Sequence, residues 1–551
     1  MEYLDLSLAL LLIALSATLF VISKIAEKRV TQKWRICYAA PVMAGLIIVG
    51  IAGFDIYMIP AYAAAVVLLV GFFKDSGILR RISSVVAAVL AIVTIPLCTV
   101  SKGYRAYDYV QDFKDGIKSM ESHYVLADHK EIDFDALYRE FLPRFEEVNR
   151  SQDELQNLIV WTEFCARFND GHVGYIYAEN FDEVTTEMYD KVLGNDYGLA
   201  PMTLSDGRTA AVNVEPDSEA YKAGIRNGTI ITSWDGASPE NISDEAMKYF
   251  SFADKDNKAF FRTLLCGGAE GDCITVGFID DSGNEKTAEL TKLGAYYSGR
   301  LKGALAKITG GIETGHLMWE EIDEKTSVFR MKMMMSDSAS MESGDYRGLK
   351  YDITTKLDEL KAQGKDHVIL DMRDNSGGDG GMVKAIASIF APVGEHYYCT
   401  DALWSDSAGG YVTDENGRFI KDKDNYVTGE DLWDGKLTII VNHNSVSAAD
   451  HLVEVMQGMP DVTIIGFTEP NGSAQGVGGL MFDDDYVLSF SGSLLLDENG
   501  DVSVDSGIDH ESGNDIDIRV PFDEEAIKAI FDEEKDHLVA KALEFYSEFT
   551  D

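Results

Sequence analysis

Three things are scarce in this sequence. Basic residues come first: 48 Lys and Arg stand against 92 Asp and Glu, a formal net charge of −44 over 551 residues. So acidic a chain repels the phosphate backbone, which excludes nucleic acid as a partner. Cysteine is second. The six cysteines are too sparse for a disulfide scaffold. Cys266 and Cys273 flank Gly-Gly-Ala-Glu-Gly-Asp, which suits either a hairpin bridge or two free thiols. Third, no His/Cys cluster has metal-ligand spacing and no Gly-x4-Gly-Lys loop occurs, so no metal and no cofactor is expected.

Apolar content is not scarce. Hydrophobic residues make up 46% of the chain and aromatics 10%, enough to supply a core and exclude disorder. Length suggests roughly three or four domains. Mean hydropathy is −0.08, nearly neutral for so acidic a chain, so apolar and acidic residues should be segregated. Four uncharged stretches crowd the start, at residues 6–23, 36–54, 56–73 and 82–101. Each matches the roughly 17–25 residues of a membrane-spanning helix. Glu2 and Asp5 stand where a cleaved signal peptide would be basic. Lys24, Lys28, Arg29, Lys33 and Arg35 follow the first stretch, and Lys74, Arg80 and Arg81 follow the third. Basic loops stay cytoplasmic, which predicts an extracytoplasmic N-terminus and an extracytoplasmic region after the fourth stretch. Residues 1–105 carry 5 acids and 10 bases; the other 446 residues carry 87 acids and 38 bases, a net of −49. That charge favours basic substrates and weakly repels an anionic membrane surface, both effects fading with salt.

The remainder divides into three patterns. Residues 106–189 read as mainly helical, with three-to-four apolar spacing over 108–124 and 132–145. Ser151-Gln152-Asp153-Glu154 has the form of a capping box ahead of a helix over 155–168. Residues 190–296 are β-rich, with strands expected at 210–214, 230–233 and 274–279, a short helix over 217–223 ended by Gly224, a hairpin turn at 280–284, and no long helix. Residues 297–551 alternate strand, loop and helix. Strands are expected at 368–372, 437–441 and 462–466, and helices at 382–390 and 448–457, the pattern of a mostly parallel α/β sheet. Asp497-x-Asn499-x-Asp501 faintly resembles a calcium loop, but it lacks the glycine at the sixth position and reads as a hairpin turn.

Three segments carry candidate chemistry. Asp371-Met-Arg373-Asp-Asn375-Ser-Gly377-Gly378 follows a strand, and its glycines allow a tight turn with free amides, suited to an oxyanion or to a purely structural turn. Asn442-His443-Asn444-Ser445-Val446-Ser447-Ala448-Ala449-Asp450 lies between a strand and a helix, so its serines either meet the helix N-terminus as nucleophiles or cap it. Asn169-Asp-Gly-His172 presents a histidine in a glycine-flanked loop, a general base or an ordinary side chain.

Together these segments resemble the tail-specific, or C-terminal processing, serine peptidases over residues 106 to the end. Tyr197-Gly198-Leu199, with Pro216-Asp-Ser218-Glu-Ala220 and Gly224, resembles the family's PDZ module. Ile369–Gly378 and Ser447-Ala-Ala-Asp450 resemble its crotonase-like catalytic core. The resemblance implies Ser447 as nucleophile, with Asp450 orienting the loop; Ser445 falls out of register. No lysine occurs from Val441 to Asp505, where one branch keeps its base. His172 matches the base of the other branch, similar to the tricorn core protease. Asp505, in Val504-Asp-Ser-Gly507-Ile508, matches its acid, as aspartate in place of glutamate. His443 and His451 are weaker bases. The Ala448 amide and one from Gly377 or Gly378 would form the oxyanion hole, and Gln475 would contact substrate or loop backbone. Gly198 and Leu199 would capture a chain end, assisted by Lys222 or Arg226, although the loop reads Gly-Leu-Ala-Pro where the family has Gly-Leu-Gly-Phe. The expected architecture is therefore a helical membrane anchor (1–105), a helical part carrying His172 (106–189), a PDZ-like domain (190–296) and an α/β core (297–551). The expected partners are protein or peptide substrates, reached through their C-termini, and a lipid bilayer. A non-catalytic PDZ-bearing scaffold or chaperone and a non-peptidase acyl hydrolase are the alternatives on the same fold.

Overall fold

The computed structural model describes residues 59–550, apart from 74–76, 103–106, 178–180, 311–316, 408, 483–485, 506 and 508–513. The chain forms two compact units, Met1–Asp108 and Tyr109–Asp551.

In the first unit, helices Ile59–Phe73 and Gly77–Lys102 lie side by side. Ala64, Ala65, Ala87 and Ala91 are fully buried, so small side chains line the seam. No helix among the described residues is long and apolar enough to cross a membrane. The first has 15 residues, about 22 Å at 1.5 Å per residue, against a hydrocarbon core of about 30 Å. The second mixes Arg80, Arg81, Ser83, Ser84, Thr94, Pro96 and Lys102 into its apolar run. The expected helical anchor, its bilayer partner and the multi-pass location are corrected accordingly. The stretches 6–23 and 36–54 lie outside the described residues.

The second unit begins with helices Tyr109–His123, Phe134–Ser151 and Glu154–Ala166. Phe113, Phe145, Trp161 and Phe164 pack between them with ring centroids 4.4–5.9 Å apart. The capping box expected at Ser151 is not the helix start. Ser151 ends the preceding helix and donates to Val148 O, while Asp153 accepts from the Gln156 amide as the N-cap.

A five-stranded antiparallel sheet follows, with Ala200–Thr203, Thr209–Val212, Ile230–Trp234, Cys273–Ile279 and Glu285–Thr291 in that order. Ser218 caps the short helix Glu219–Ala223, and Gly224 ends it at φ 100°. The sequence reading missed the helix Lys255–Leu265, whose first turn is polar and hides its apolar stripe. Cys165, Cys266, Cys273 and Cys399 are free thiols.

The core is a six-stranded sheet. Ile518–Arg519, Val462–Gly466, Lys436–Ile440, His367–Asp371 and Thr326–Met331 run parallel, and Leu317–Glu321 is an antiparallel edge. Ile369 pairs with Val328 on one side and Thr438 on the other. Alternation sends Val328, Ile369, Ile440 and Ile465 to one face and Phe329, Val368, Leu370, Ile439 and Ile464 to the other, each in its own apolar cluster. Helices Gly380–Phe390 and Ala448–Met456 cover the second face. A hairpin, Gly476–Phe482 with Tyr486–Ser493, pairs with Gly174–Tyr177 and so carries the segment after His172 into a sheet. Asp497 Oδ1 accepts the amides of Asn499 and Asp501, which makes 497–501 a turn closed on its own backbone.

Candidate active site

The loop after strand Lys436–Ile440 delivers Ser447 to the N-cap of helix Ala448–Met456 at φ 65° and ψ −121°. An L-residue rarely adopts that conformation, and it persists only where the surroundings impose it. The surroundings are visible. The Ser447 amide donates to Ser473 O at 2.8 Å and to Asp450 Oδ2 at 3.1 Å. Asp450 is fully buried and also accepts from the amides of Gly472 and Ser473 and from Asn514 Nδ2. Burial pushes its carboxyl well above the usual range. Asp450 thus ties three loops together. Ser445 is used internally, its Oγ donating to Met372 O and accepting from the Asn442 amide.

The glycine turn after strand His367–Asp371 packs directly on this elbow. A Cβ at Gly377 would stand 2.5 Å from Ser447 Cβ and 3.0 Å from the Ala448 nitrogen. Asn375 shapes the turn, its Nδ2 donating to Met331 O and its Oδ1 accepting the Gly377 amide. Of the two candidate glycine amides, Gly377 is therefore taken. Gly378 bridges Met334 through its neighbours, since Met334 N donates to Gly377 O and Asp379 N to Met334 O. The Gly378 amide turns the other way. The Ala448 amide opens the helix, one of the donors a helix leaves without an internal partner.

His172 sits in the loop between helix Glu154–Ala166 and strand Gly174–Tyr177 and is 7% exposed. Its Nδ1 lies 3.4 Å from Ser491 Oγ and 3.9 Å from Asp170 Oδ1; its Nε2 is buried without a partner among the described residues. Burial lowers its pKa, the Asp170 charge opposes that shift and His451 adds to it. Ser473 joins this loop to the elbow, its Oγ accepting the Gly171 amide at 2.8 Å and its carbonyl the Ser447 amide. No hydrogen bond links Ser447 to His172.

Asp505 is buried beside the elbow's support. Its Oδ2 accepts the Ala474 amide and Gln475 Nε2, both at 2.9 Å, while Oδ1 is buried without a partner among the described residues. No hydrogen bond or ion pair joins it to His172. Burial and the Asp170 charge push its carboxyl up to about 7, against an opposing pull from Lys130. The preceding Val504 stands at φ 65°, unusual for a β-branched residue. Gln475 is fully buried, also donating to Ser503 O and accepting the Leu495 amide. His451 is held between Ala474 O and Glu454. His443 packs on Phe261, and burial lowers it to about 4.

Sequence reasoning missed Asp170 and Ser491 as neighbours of His172. Asp170 was within the quoted motif, but nothing local distinguishes a buried acid there; Ser491 lies 319 residues from His172. In the other candidate motif, Asp371 and Arg373 form a buried ion network with Arg330 and Asp536.

In the β-rich region, the Gly198 amide donates to Asp196 Oδ1 at 2.8 Å, and Asp196 is paired with Arg300. Leu199 is fully buried in the core. The Thr203 amide donates to Thr263 Oγ1 at 2.8 Å. Arg226 stacks on the Tyr221 ring. The same region touches the site loops: Ser251 Oγ donates to Asp170 O, and Asn257 Nδ2 donates to Pro470 O.

Residues 334–511 match the model of peptidase family S41. In fold the chain is similar to mature CPAF, at 14% identity and a TM-score of 0.50, covering 78% of this chain and 95% of that one. It is also similar to a putative peptidase from Parabacteroides merdae (15%, TM-score 0.42, 80% and 97%) and to the photosystem II D1 C-terminal processing protease (14%, TM-score 0.32, 77% and 97%). The segment that matches the family model holds the glycine turn, the Ser447 elbow and Asp505, and the chain is a serine-type peptidase carrying a peptidase family S41 region.

Proposed function

We propose that the chain cleaves peptide bonds of protein or peptide substrates with Ser447 as nucleophile and His172 as general base. Ser447 Oγ attacks the scissile carbonyl carbon as His172 Nε2 takes its proton. The imidazolium then returns that proton to the leaving amine, and water repeats the sequence on the acyl-enzyme. The negative charge on the carbonyl oxygen meets the amides of Ala448 and Gly378. Asp450 and Ser473 hold the elbow, and Asp505 holds the Ala474–Gln475 segment beneath it. One observation supports the pairing above others: Ser473 binds both the Gly171 amide and the Ser447 amide, while His172 keeps a buried, unpartnered Nε2. Hydrogen bonds of this kind are often long without substrate and close in the Michaelis complex.

In this reading the β-rich region is a PDZ-like module that buttresses the catalytic loops through Ser251 and Asn257. The test is labelling with a fluorophosphonate probe, combined with peptide hydrolysis. Labelling should fall on Ser447, and Ser447→Ala and His172→Ala should each lower kcat by about 10⁴-fold or more. Full activity in His172→Ala would sink the pairing.

A further inference from the structure

The acid expected from sequence to steer His172 is Asp505, yet the groups around Nδ1 are different ones. Asp170 is fully buried, and its carboxylate is engaged on both oxygens. Oδ1 accepts the His172 amide at 2.8 Å, and Oδ2 accepts the Ser491 hydroxyl at 2.8 Å. Ser491 is fully buried in the strand Tyr486–Ser493, and its carbonyl accepts the Val125 amide, so its position is set by a sheet and not by a loop.

A hydroxyl has one hydrogen. The Ser491 hydrogen goes to the carboxylate, where a charge-assisted bond is stronger than a neutral one. Toward His172, Ser491 Oγ therefore presents lone pairs, 3.4 Å from Nδ1. Nδ1 must then carry the ring hydrogen, and Nε2 is left as a bare lone pair. Nε2 is the ring atom that lacks a partner. The arrangement selects the tautomer a general base needs, and the Asp170 charge, 3.9 Å from Nδ1, stabilises the cation formed when Nε2 takes a proton.

We infer that Asp170, acting through Ser491, is the positioning acid for His172, and that Asp505 serves the neighbouring loop. This rests on the Ser447–His172 reading. The other charged or titratable groups around this cluster are His451, Asp505, Lys130 and Tyr124.

The experiment compares Asp170→Asn, Ser491→Ala and Ser491→Thr in the full-length chain, following kcat, KM and the pH profile on one peptide. Asp170→Asn should lower kcat by about 10²–10⁴-fold with little change in KM. Removing the carboxylate also removes what opposes burial at His172, so the acid limb of kcat/KM should move to lower pH. Ser491→Ala should lower kcat less, and Ser491→Thr, which keeps the hydroxyl, should restore it. Lost activity with an unmoved acid limb would make Asp170 merely structural and overturn the inference. Unchanged kcat in Asp170→Asn would overturn it too. If Asp170→Asn does not fold, Ser491→Ala decides alone by the same two readouts. His172→Ala runs beside them. If it stays active, the base assignment has failed; if it is inactive while Asp170→Asn keeps its kcat, only the Asp170 role has failed.

Discussion

Two regions of the second unit, the candidate site and the 198–203 edge of the five-stranded sheet, treat the polar groups at their expected ligand positions differently. At the candidate site, His172 Nε2 and Asp505 Oδ1 are buried with no partner among the described residues, and Ser447 and Val504 stand at positive φ. In the β-rich region, two backbone amides of the 198–203 segment are already occupied. Asp196 takes the Gly198 amide, Thr263 takes the Thr203 amide, and Pro201 between them has no N–H to offer. An unpaired buried polar group costs roughly 1–3 kcal/mol, so a protein keeps one only where something is gained. By that measure the candidate site keeps polar atoms in reserve at His172 and Asp505, while the 198–203 edge has the two named amides occupied; Thr232 Oγ1 and Trp234 Nε1 of the same β-rich sheet are also buried without a partner among the described residues.

Three changes would break or sharpen this contrast. The largest effect is expected from Gly377→Ala. Its Cβ would need the space of Ser447 Cβ at 2.5 Å, and the residue stands at φ 79°. Displacing the elbow from the proposed oxyanion amides should cost about 10²–10³-fold in kcat, read by steady-state peptide hydrolysis. Near-normal turnover would separate the glycine turn from catalysis.

Asp505→Asn should show a smaller and pH-dependent effect on stability. A carboxyl raised from 3.8 to about 7 in the folded chain stabilises it fully below its unfolded value and loses that contribution as pH rises through about 7. Wild-type stability should therefore fall between about pH 4 and pH 8 by a component the Asn variant lacks. Melting temperatures across that range would reveal it. Parallel profiles would mean that Asp505 is not held protonated.

The smallest effect is expected in the module. Thr263→Ala should cost about 0.5–1.5 kcal/mol, the net worth of one hydrogen bond, and leave peptide hydrolysis unchanged. Peptides ending in a free carboxylate or in an amide should be cleaved by the wild type with equal kcat/KM. A tenfold preference for the free acid would return chain-end capture to Gly198 and Leu199.

Local pattern made the core legible. Strand, loop and helix alternate in sequence as they do in space, and the strands expected at 368–372, 437–441 and 462–466 fall within one residue of those observed. The placement of Ser447 at a helix start followed from the same pattern. Hydropathy alone misled at the N-terminal side, because uncharged length is not the same as a helix of spanning length; no helix among the described residues is long and apolar enough to cross a membrane. Contacts across hundreds of residues were not legible at all. Ser491 and Asp170 meet over 321 residues, and no periodicity records that.

The buried ion network beneath the glycine turn ties that turn to a distant segment of the chain. Arg373 is clamped by Asp371 and by Asp536, which follows it by 163 residues. Without Asp536, Arg373 would have to share Asp371 with Arg330, whose other partner is Glu320 on the edge strand. Leaving a buried guanidinium short of a partner is costly. Asn375, Gly377 and Gly378 follow the same strand end, so the turn beside Ser447 leans on an acid that reaches it from 163 residues away.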